Sequence, residues 1–445
     1  MDHFPYEARK DNHGMMNTQD TMQRLRSGDT DLRTYLNGLC DAIASGDPKI
    51  LAMVPGTLDR KRILIEAAQL LDRYPNPADR PALFGMPVGI KDIIRASGFP
   101  TRCGSKLPPE VFEGPEAECV ARIKAAGGII MGKTVTTEFA YFEPGPTRNP
   151  HNPNHTPGGS SSGSAAGVAS GFFPLALGSQ TGGSVIRPAA YCGVVGFKPS
   201  FGRISMDGVM PLSKTLDHLG IFCADPSGID PFMRVLATDW RSARVQKDPG
   251  SPVFGVPDGP YLGLATPHGR KYFERTLERL HAAGLQIKHI PFLQNIEEIN
   301  DHLLRLMWAE IARSHDAWYR GYGHLYSAKM RDAVEQGRKI GDGEHAALRA
   351  ETSAFRRQVE EKMHAEGIDA WLCPSTMDSA PEGLDSTGSP IMNFSWTFGG
   401  FPALSLPADK DDLGLPHGLQ VVGFFMKDEE LVAGAQMLHD AISTT

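Results

Sequence analysis

The stretch from Pro157 to Arg203 constrains the fold of this chain most, because small-residue turns alternate there with apolar runs. Two Gly/Ser clusters, residues 158–163 and 182–184, flank an apolar segment that covers residues 165–177. Glycines let the backbone take positive φ and let another group approach closely, and the neighbouring serines add hydroxyl and N–H groups. A flexible Gly/Ser linker does not alternate with apolar runs in this way. The stretch therefore predicts packed turns that hold a nucleophile and stabilise an oxyanion.

The composition is that of an ordinary globular protein and argues against several functional classes. The chain has 445 residues and a net charge of −7, and no long basic run indicates a nucleic-acid partner. Its six cysteines are scattered without a CxxC pair, which argues against a disulfide framework and against a zinc site. The N-terminus lacks the apolar region of a signal peptide, and no apolar run reaches the ~18 residues of a membrane helix. We therefore expect a cytoplasmic protein without membrane contact.

Helical and strand patterns alternate along the chain, and this alternation predicts an α/β fold with a mostly parallel, helix-covered sheet. Residues 1–20 are predicted to be a flexible tail, and residues 21–75 to form N-terminal helices. Residues 83–225 carry strands and the turn region, and residues 299–366 are mostly helical with breaks at glycines. Because no composition shift marks a linker, residues 21–445 are expected to form one domain.

Lys91 is the unusual residue of an apolar, strand-like run from Leu83 to Ile94. A lysine buried in a strand must be paired, neutral or extended towards water. The spacing alone leaves two interpretations open, a functional buried lysine and an edge-strand lysine in solvent.

Two short motifs match nucleotide-binding or hydrolase signatures but stand in the wrong context. Residues 127–134 match the P-loop pattern GxxxxGKT, yet a helix precedes them and a strand falls inside the match. Residues 159–163 match GxSxG, yet that nucleophile elbow needs a preceding strand, and the preceding residues here are rich in proline and asparagine. We therefore predict neither ATP binding nor an α/β-hydrolase fold.

Several motifs in a fixed order resemble the amidase signature family of serine amide hydrolases. They are the turn region 157–203, GMPVGIKD at 85–92, GKT at 132–134 with TEF at 137–139, and two C-terminal motifs at 396–407 and 418–423. The resemblance covers roughly residues 60–445. It implies a single large domain with a central twisted, mixed, mostly parallel β-sheet covered by helices on both faces. Residues 299–366 and the loop 375–389 are then expected to close the substrate pocket.

The family uses a Ser–Ser–Lys triad, and each member has a counterpart here. The resemblance implies that Ser184 is the nucleophile, Ser160 the bridging serine held by a cis peptide bond, and Lys91 the base. Burial can lower the pKa of a lysine from ~10.4 by several units, so that Lys91 is neutral and accepts a proton. No metal and no cofactor is implied.

Further site residues follow from the same resemblance. The oxyanion hole is expected from the backbone N–H groups of Thr181, Gly182, Gly183 and Ser184. The residues expected to contact substrate are Arg187, Gly158, Gly159 and Ser161, and those expected to support the cluster are Ser179 and Gln180.

The sequence departs from the family around the nucleophile. Gln180 stands where much of the family has an acidic residue, and Arg187 lies three residues after Ser184 instead of two. This variant resembles the malonamidase-type branch, whose corresponding arginine is associated with a substrate carboxylate. Arg187 is therefore either a ligand for such a carboxylate or a structural residue bonded to Gln180 or to carbonyls.

The resemblance implies an amidase that hydrolyses the C–N bond of a small linear amide through an acyl-enzyme on Ser184. One alternative is a hydrolase of urea-type substrates such as allophanate or carboxybiuret. Another is the glutaminase subunit of a tRNA-dependent amidotransferase, which needs a further protein as partner. A catalytically silent binding protein is disfavoured because all three triad positions are filled. We expect a small-molecule amide as partner and no nucleic acid, with a homodimer as a candidate assembly.

Overall fold

The computed structural model describes residues 17–242 and 252–443. Residues 1–16 of the expected N-terminal tail therefore lie outside the described residues, and a helix already begins at Thr18. The α-helices of the described residues are α1 (Thr18–Ser27), α2 (Leu32–Ile50), α3 (Arg60–Arg73), α4 (Glu118–Ala125), α5 (Ser162–Ala169), α6 (Ile186–Cys192), α7 (Ile229–Leu236), α8 (Pro260–Gly263), α9 (Pro267–Ala282), α10 (Ile296–Tyr322), α11 (Ala328–Arg338), α12 (Asp342–Glu366), α13 (Phe394–Phe398) and α14 (Asp428–Ser443).

The β-strands form one sheet. They are β1 (Pro87–Lys91), β2 (Ile129–Thr134), β3 (Leu175–Gln180), β4 (Val195–Lys198), β5 (His218–Cys223), β6 (Val253–Asp258), β7 (Gln286–Pro291), β8 (Ala370–Pro374), β9 (Ala403–Lys410) and β10 (Pro416–Val422). Their order across the sheet is β2-β1-β3-β5-β4-β9-β10-β8-β6-β7. A mixed sheet flanked by helices is thus confirmed, in a single domain.

Parallel and antiparallel pairing occupy different parts of this sheet. The parallel pairs lie at its two edges, where β1 pairs with β2 and β3, and β6 pairs with β7 and β8. The central pairs from β3 to β8 are antiparallel. At the centre β9 and β10 form a hairpin, and a short turn of this kind can join only antiparallel strands.

The strands that carry the turn region are buried along their whole length. Every residue of β1, β2 and β3 is buried, which is expected of strands covered on both faces. The P-loop match at 127–134 ends in β2, with its lysine inside the strand, so it forms no phosphate-binding loop before a helix. The GxSxG match at 159–163 leads from a loop into α5 without a preceding strand.

The helical segment predicted over residues 299–366 consists of α10, α11 and α12. The breaks lie near the expected glycines: α10 ends before Gly323, and Gly341 precedes α12. Ser327 begins α11 by accepting a hydrogen bond from the Met330 N–H at 3.2 Å. None of the helices in the described residues is long and apolar enough to span a bilayer.

Candidate active site

The candidate site lies at the carboxyl ends of two neighbouring parallel strands. Lys91 ends β1 and Gln180 ends β3, and the register pairs Ile90 with Leu177. Because parallel strands end at the same edge of a sheet, the Lys91 side chain and the loop after Gln180 meet there. The short α5 begins at Ser162, directly after the first Gly/Ser turn, and brings Ser160 to the same edge.

Lys91 is fully buried among hydroxyl groups. Its Nζ lies 2.7 Å from the Ser160 Oγ and 2.8 Å from the Ser179 Oγ, and its exposed fraction is 0%. Burial holds the pKa of Lys91 well below its usual value, with a smaller downward contribution from Arg187 and an upward one from the Asp217 charge. The lysine is therefore neutral and has a lone pair at hydrogen-bond distance from Ser160. Of the two interpretations left open by the sequence, the structure shows the buried one.

Ser160 follows a cis peptide bond between Gly159 and Ser160, as the resemblance implied. The preceding Gly158 has φ +81°, and a Cβ there would lie 2.8 Å from the Pro188 Cα, so the turn packs too closely for a side chain. The Ser161 hydroxyl accepts from the Ser179 N–H and donates to the Ser179 carbonyl, which ties this turn to β3.

The loop 181–184 is held by side chains, and its own N–H groups stay free. Gln180 accepts hydrogen bonds from the N–H groups of Val185 and Ile186 at 2.8 and 3.0 Å and donates to the Thr397 Oγ1 at 3.0 Å. Thr397 in turn donates to the Gly182 carbonyl at 2.7 Å. The backbone N–H groups of residues 181–184 donate to no other described residue. They are thus available to a developing oxyanion.

A buried carboxylate supports the same loop from below. Asp217 accepts a hydrogen bond from the Thr181 Oγ1 at 2.5 Å and from the N–H groups of Leu212 and Ser213 at 2.8 and 2.9 Å. Burial raises the pKa of Asp217 to about 6, while these hydrogen bonds oppose the rise. Sequence reasoning did not single out Asp217, because a lone acidic residue in a loop carries no signal before its contacts are known.

Arg187 is almost completely buried, with an exposed fraction of 2%. It donates from Nη2 and Nε to the Gly159 carbonyl at 2.6 and 3.2 Å, from Nη1 to the Gly388 carbonyl at 2.5 Å, and from Nη2 to the Thr387 Oγ1 at 3.2 Å. All four bonds end on neutral acceptors, and no acidic side chain of the described residues forms an ion pair with it. Burial lowers the pKa of Arg187 to about 10.

A small cavity of about 20 Å³ opens onto the loop 181–184 and Arg187. Its other walls come from Ala140, Tyr141, Phe142, Leu212, Met307, Pro390 and Phe394. Ser184 retains an exposed fraction of 7%, so a substrate that enters the cavity meets its hydroxyl. Of the residues expected to contact substrate, Arg187 lines this cavity, whereas Gly158, Gly159 and Ser161 are not among its walls.

The segments expected to close the pocket contribute unequally. Within residues 299–366 only Met307 of α10 lines the cavity, and Pro390 follows the loop 375–389 directly. That loop acts through its backbone and Thr387, which hold Arg187. No group of three or more potential ligands that would hold a metal ion occurs in the described parts of the chain.

Comparison with known proteins assigns the family. The family model described as Amidase matches residues 35–432. The chain belongs to the amidase family. A crystal structure of an amidase is 30% identical and has a TM-score of 0.86, and the match covers 96% of this chain and 100% of that chain. As an amidase, the protein is a hydrolase that acts on carbon–nitrogen bonds.

Other relatives of this amidase carry more specific names. A subunit of the glutamyl-tRNA(Gln) amidotransferase of Koribacter versatilis (strain Ellin345) is 31% identical over 437 residues, which cover 87% of this chain and 90% of that protein. A structure that reports a vestigial protein complex and the evolutionary origins of an s-triazine catabolic enzyme is 26% identical. Its TM-score is 0.82, and the match covers 96% of this chain and 98% of that chain.

Proposed function

We propose that this amidase hydrolyses a small linear amide whose acyl part carries a carboxylate. The observation that supports the proposal is Arg187, a buried cation with neutral partners only, in the wall of the cavity that reaches Ser184. An uncompensated buried charge is costly, and a substrate carboxylate would compensate it. The guanidinium has five N–H donors, of which four bonds are described, so a donor of Nη1 remains for the substrate.

In the proposed reaction Ser184 is the nucleophile and Ser160 and Lys91 form the proton relay. Neutral Lys91 takes the proton of Ser160, and Ser160 takes that of Ser184 while the Ser184 Oγ bonds to the amide carbon. The oxyanion accepts hydrogen bonds from the free N–H groups of the loop 181–184. The C–N bond then breaks, the relay returns the proton to the leaving nitrogen, and water hydrolyses the ester to regenerate Ser184.

The first prediction concerns the nucleophile. Replacing Ser184 by Ala removes the atom that bonds to the acyl group, so kcat/KM should fall by a factor on the order of 10⁴ or more. The measurement is ammonia release from a panel of malonamate, propionamide, allophanate, biuret and glutamine. Intact-mass analysis of the wild type should show an acyl adduct on Ser184, and an adduct on another serine would overturn the assignment.

The second prediction concerns Arg187 and separates its two possible roles. The Arg187→Ala variant should lose about 10–100-fold more kcat/KM on malonamate than on the neutral propionamide, because only malonamate offers a carboxylate to the guanidinium. Thr387→Val is the matched control, since it removes one contact of Arg187 and keeps the charge. Equal losses on both substrates in Arg187→Ala would favour the structural role.

A second candidate function has support from the relatives. Several curated relatives are named as one subunit of glutamyl-tRNA(Gln) amidotransferase, at 27–31% identity. In that case glutamine would be the best substrate of the panel, and its hydrolysis would rise when a partner protein is added. Preference for allophanate or biuret would favour the urea-type alternative, for which the likeness to the s-triazine enzyme is the support.

A further inference from the structure

A larger opening lies behind the wall of the active-site cavity. Two adjoining cavities of about 470 and 360 Å³ share Phe201, Thr215 and Arg349 among their walls. We call them together the basic groove; α12 forms one side of it, and residues 201–215 and α10 form the other. None of its lining residues lines the cavity at Ser184. On α10, Met307 faces that cavity, whereas Glu310 and Arg313 face the groove.

The basic groove carries an excess of positive charge. Lys214, Arg313, Arg349 and Arg356 line it, and among these Lys214 and Arg349 form no side-chain hydrogen bond or ion pair with a described residue. Arg313 pairs with the exposed Asp342 at 2.8 Å, and Arg356 donates to the Gly399 carbonyl at 2.6 Å. This concentration contrasts with the net charge of −7 of the whole chain.

The one acidic side chain in the walls does not balance these cations, because its oxygens are already occupied. Glu310 accepts from the Ser213 Oγ at 2.7 Å and from the Thr215 N–H and Oγ1 at 2.8 and 2.5 Å. Its Oε1 also lies 3.1 Å from the His345 Nε2. Arg349 and Lys214 are thus left without an anion.

The walls between the charges suit an organic ligand. Phe201 and Phe398 line the larger cavity with aromatic surface, beside the Ser353 hydroxyl. Guanidinium groups match the geometry of phosphate and carboxylate oxygens, and apolar walls hold the body of a small ligand. We propose that the basic groove binds a small aromatic oxyanion, a phosphate or carboxylate, through Arg349 and Lys214, at a site separate from the active site. This proposal does not rest on the proposed substrate.

The groove also borders a hydrogen-bonded connection to the oxyanion loop. Thr215 lines both of its cavities and bonds to Glu310, which also holds Ser213. The Ser213 N–H donates to Asp217, and Asp217 accepts from Thr181. A ligand bound at Thr215 therefore sits four contacts from the loop at Ser184.

The test is calorimetric titration of the full chain at constant ionic strength with four probes: phenyl phosphate, benzoate, inorganic phosphate and neutral benzyl alcohol. Phenyl phosphate should bind one to one, more tightly than inorganic phosphate, and benzyl alcohol should not bind. Phosphate ester and carboxylate sources are distinguished by comparing phenyl phosphate with benzoate.

The double variant Arg349→Ala/Lys214→Ala should weaken binding of phenyl phosphate at least tenfold. The matched control, Arg357→Ala/Lys61→Ala, removes the same charge, takes one residue from the same helix α12, and touches neither cavity. Both pairs are exposed, so thermal unfolding should be unchanged and will verify the fold. Equal affinity in the two double variants places the anion elsewhere, for example at Arg187, and overturns the proposal, as does the absence of saturable binding by every probe.

Discussion

Lys91 and Lys133 are two buried lysines on adjacent parallel strands, and they have opposite environments. Both have an exposed fraction of 0%. Lys91 faces the hydroxyls of Ser160 and Ser179, whereas the Lys133 Nζ lies 2.9 Å from the Oδ1 of Asp92. Asp92 follows Lys91 directly in the chain, so the two side chains leave the end of β1 on different sides.

The difference shows how the partner determines the chemistry of a buried amine. Beside hydroxyls, burial lowers the pKa of Lys91 and leaves a base. Beside a carboxylate, Lys133 forms an ion pair that supports the fold. Burial raises the pKa of Asp92, and the charge of Lys133 opposes that rise. One lysine is therefore suited to proton transfer and the other to structure.

The largest expected effect tests the catalytic side of this comparison. Lys91→Met removes the proton acceptor, and we expect kcat/KM to fall by about 10²–10⁴-fold. Stability should be unchanged or higher, because a buried amine is replaced by an apolar side chain of similar length. Activity assays and denaturant unfolding of the same sample check both parts. A variant that keeps its activity would show that Lys91 is not the base.

The next effect tests the structural side. Lys133→Met leaves Asp92 buried without its partner, and the free energy of unfolding should fall by about 3–5 kcal/mol. The folded fraction should keep its activity within about tenfold, since Lys133 lines no cavity at Ser184. If Lys133→Met does not fold, the double variant Asp92→Asn/Lys133→Met should restore folding, because no charge then remains buried. A fully stable Lys133→Met would contradict the comparison.

The smallest effect sharpens the account of Lys91. The neutral amine is the active form, so kcat/KM should fall as the pH drops through the Lys91 pKa, about tenfold per unit. The Asp217 charge raises that pKa; Asp217→Asn should therefore move the acidic limb to lower pH, by less than about one unit. Asp72→Asn, an exposed substitution of the same type, is the control and should leave the limb in place. A shift to higher pH in Asp217→Asn would show that another group governs the limb.

Much of the site was predictable because its chemistry lies in short motifs. The spacing of Lys91, Ser160 and Ser184 within family motifs predicted their association, and the structure places Lys91 at hydrogen-bond distance from Ser160. The roles of these residues remain predictions. The α/β alternation likewise predicted a helix-flanked sheet, because hydrophobic periodicity is a local property of the chain.

Pairing and long-range contacts were decided only in the tertiary structure. The antiparallel centre of the sheet depends on which strands become neighbours, and hydrophobic pattern alone does not specify this. The acceptors of Arg187, Thr387 and Gly388, lie 200 and 201 residues further along the chain.

The sequence by itself determined the family, the α/β class and the local motifs that carry the nucleophile, because these depend on residues close together in the chain. The tertiary structure decided which buried lysine meets a carboxylate, which acid supports the oxyanion loop, and where unpaired cations gather. The basic groove is the clearest case, since Phe201, Lys214 and Arg349 share no motif and meet only when α12 packs beside the loop after β4. Burial and charge pairing are properties of that packing, and they fix the pKa of each group.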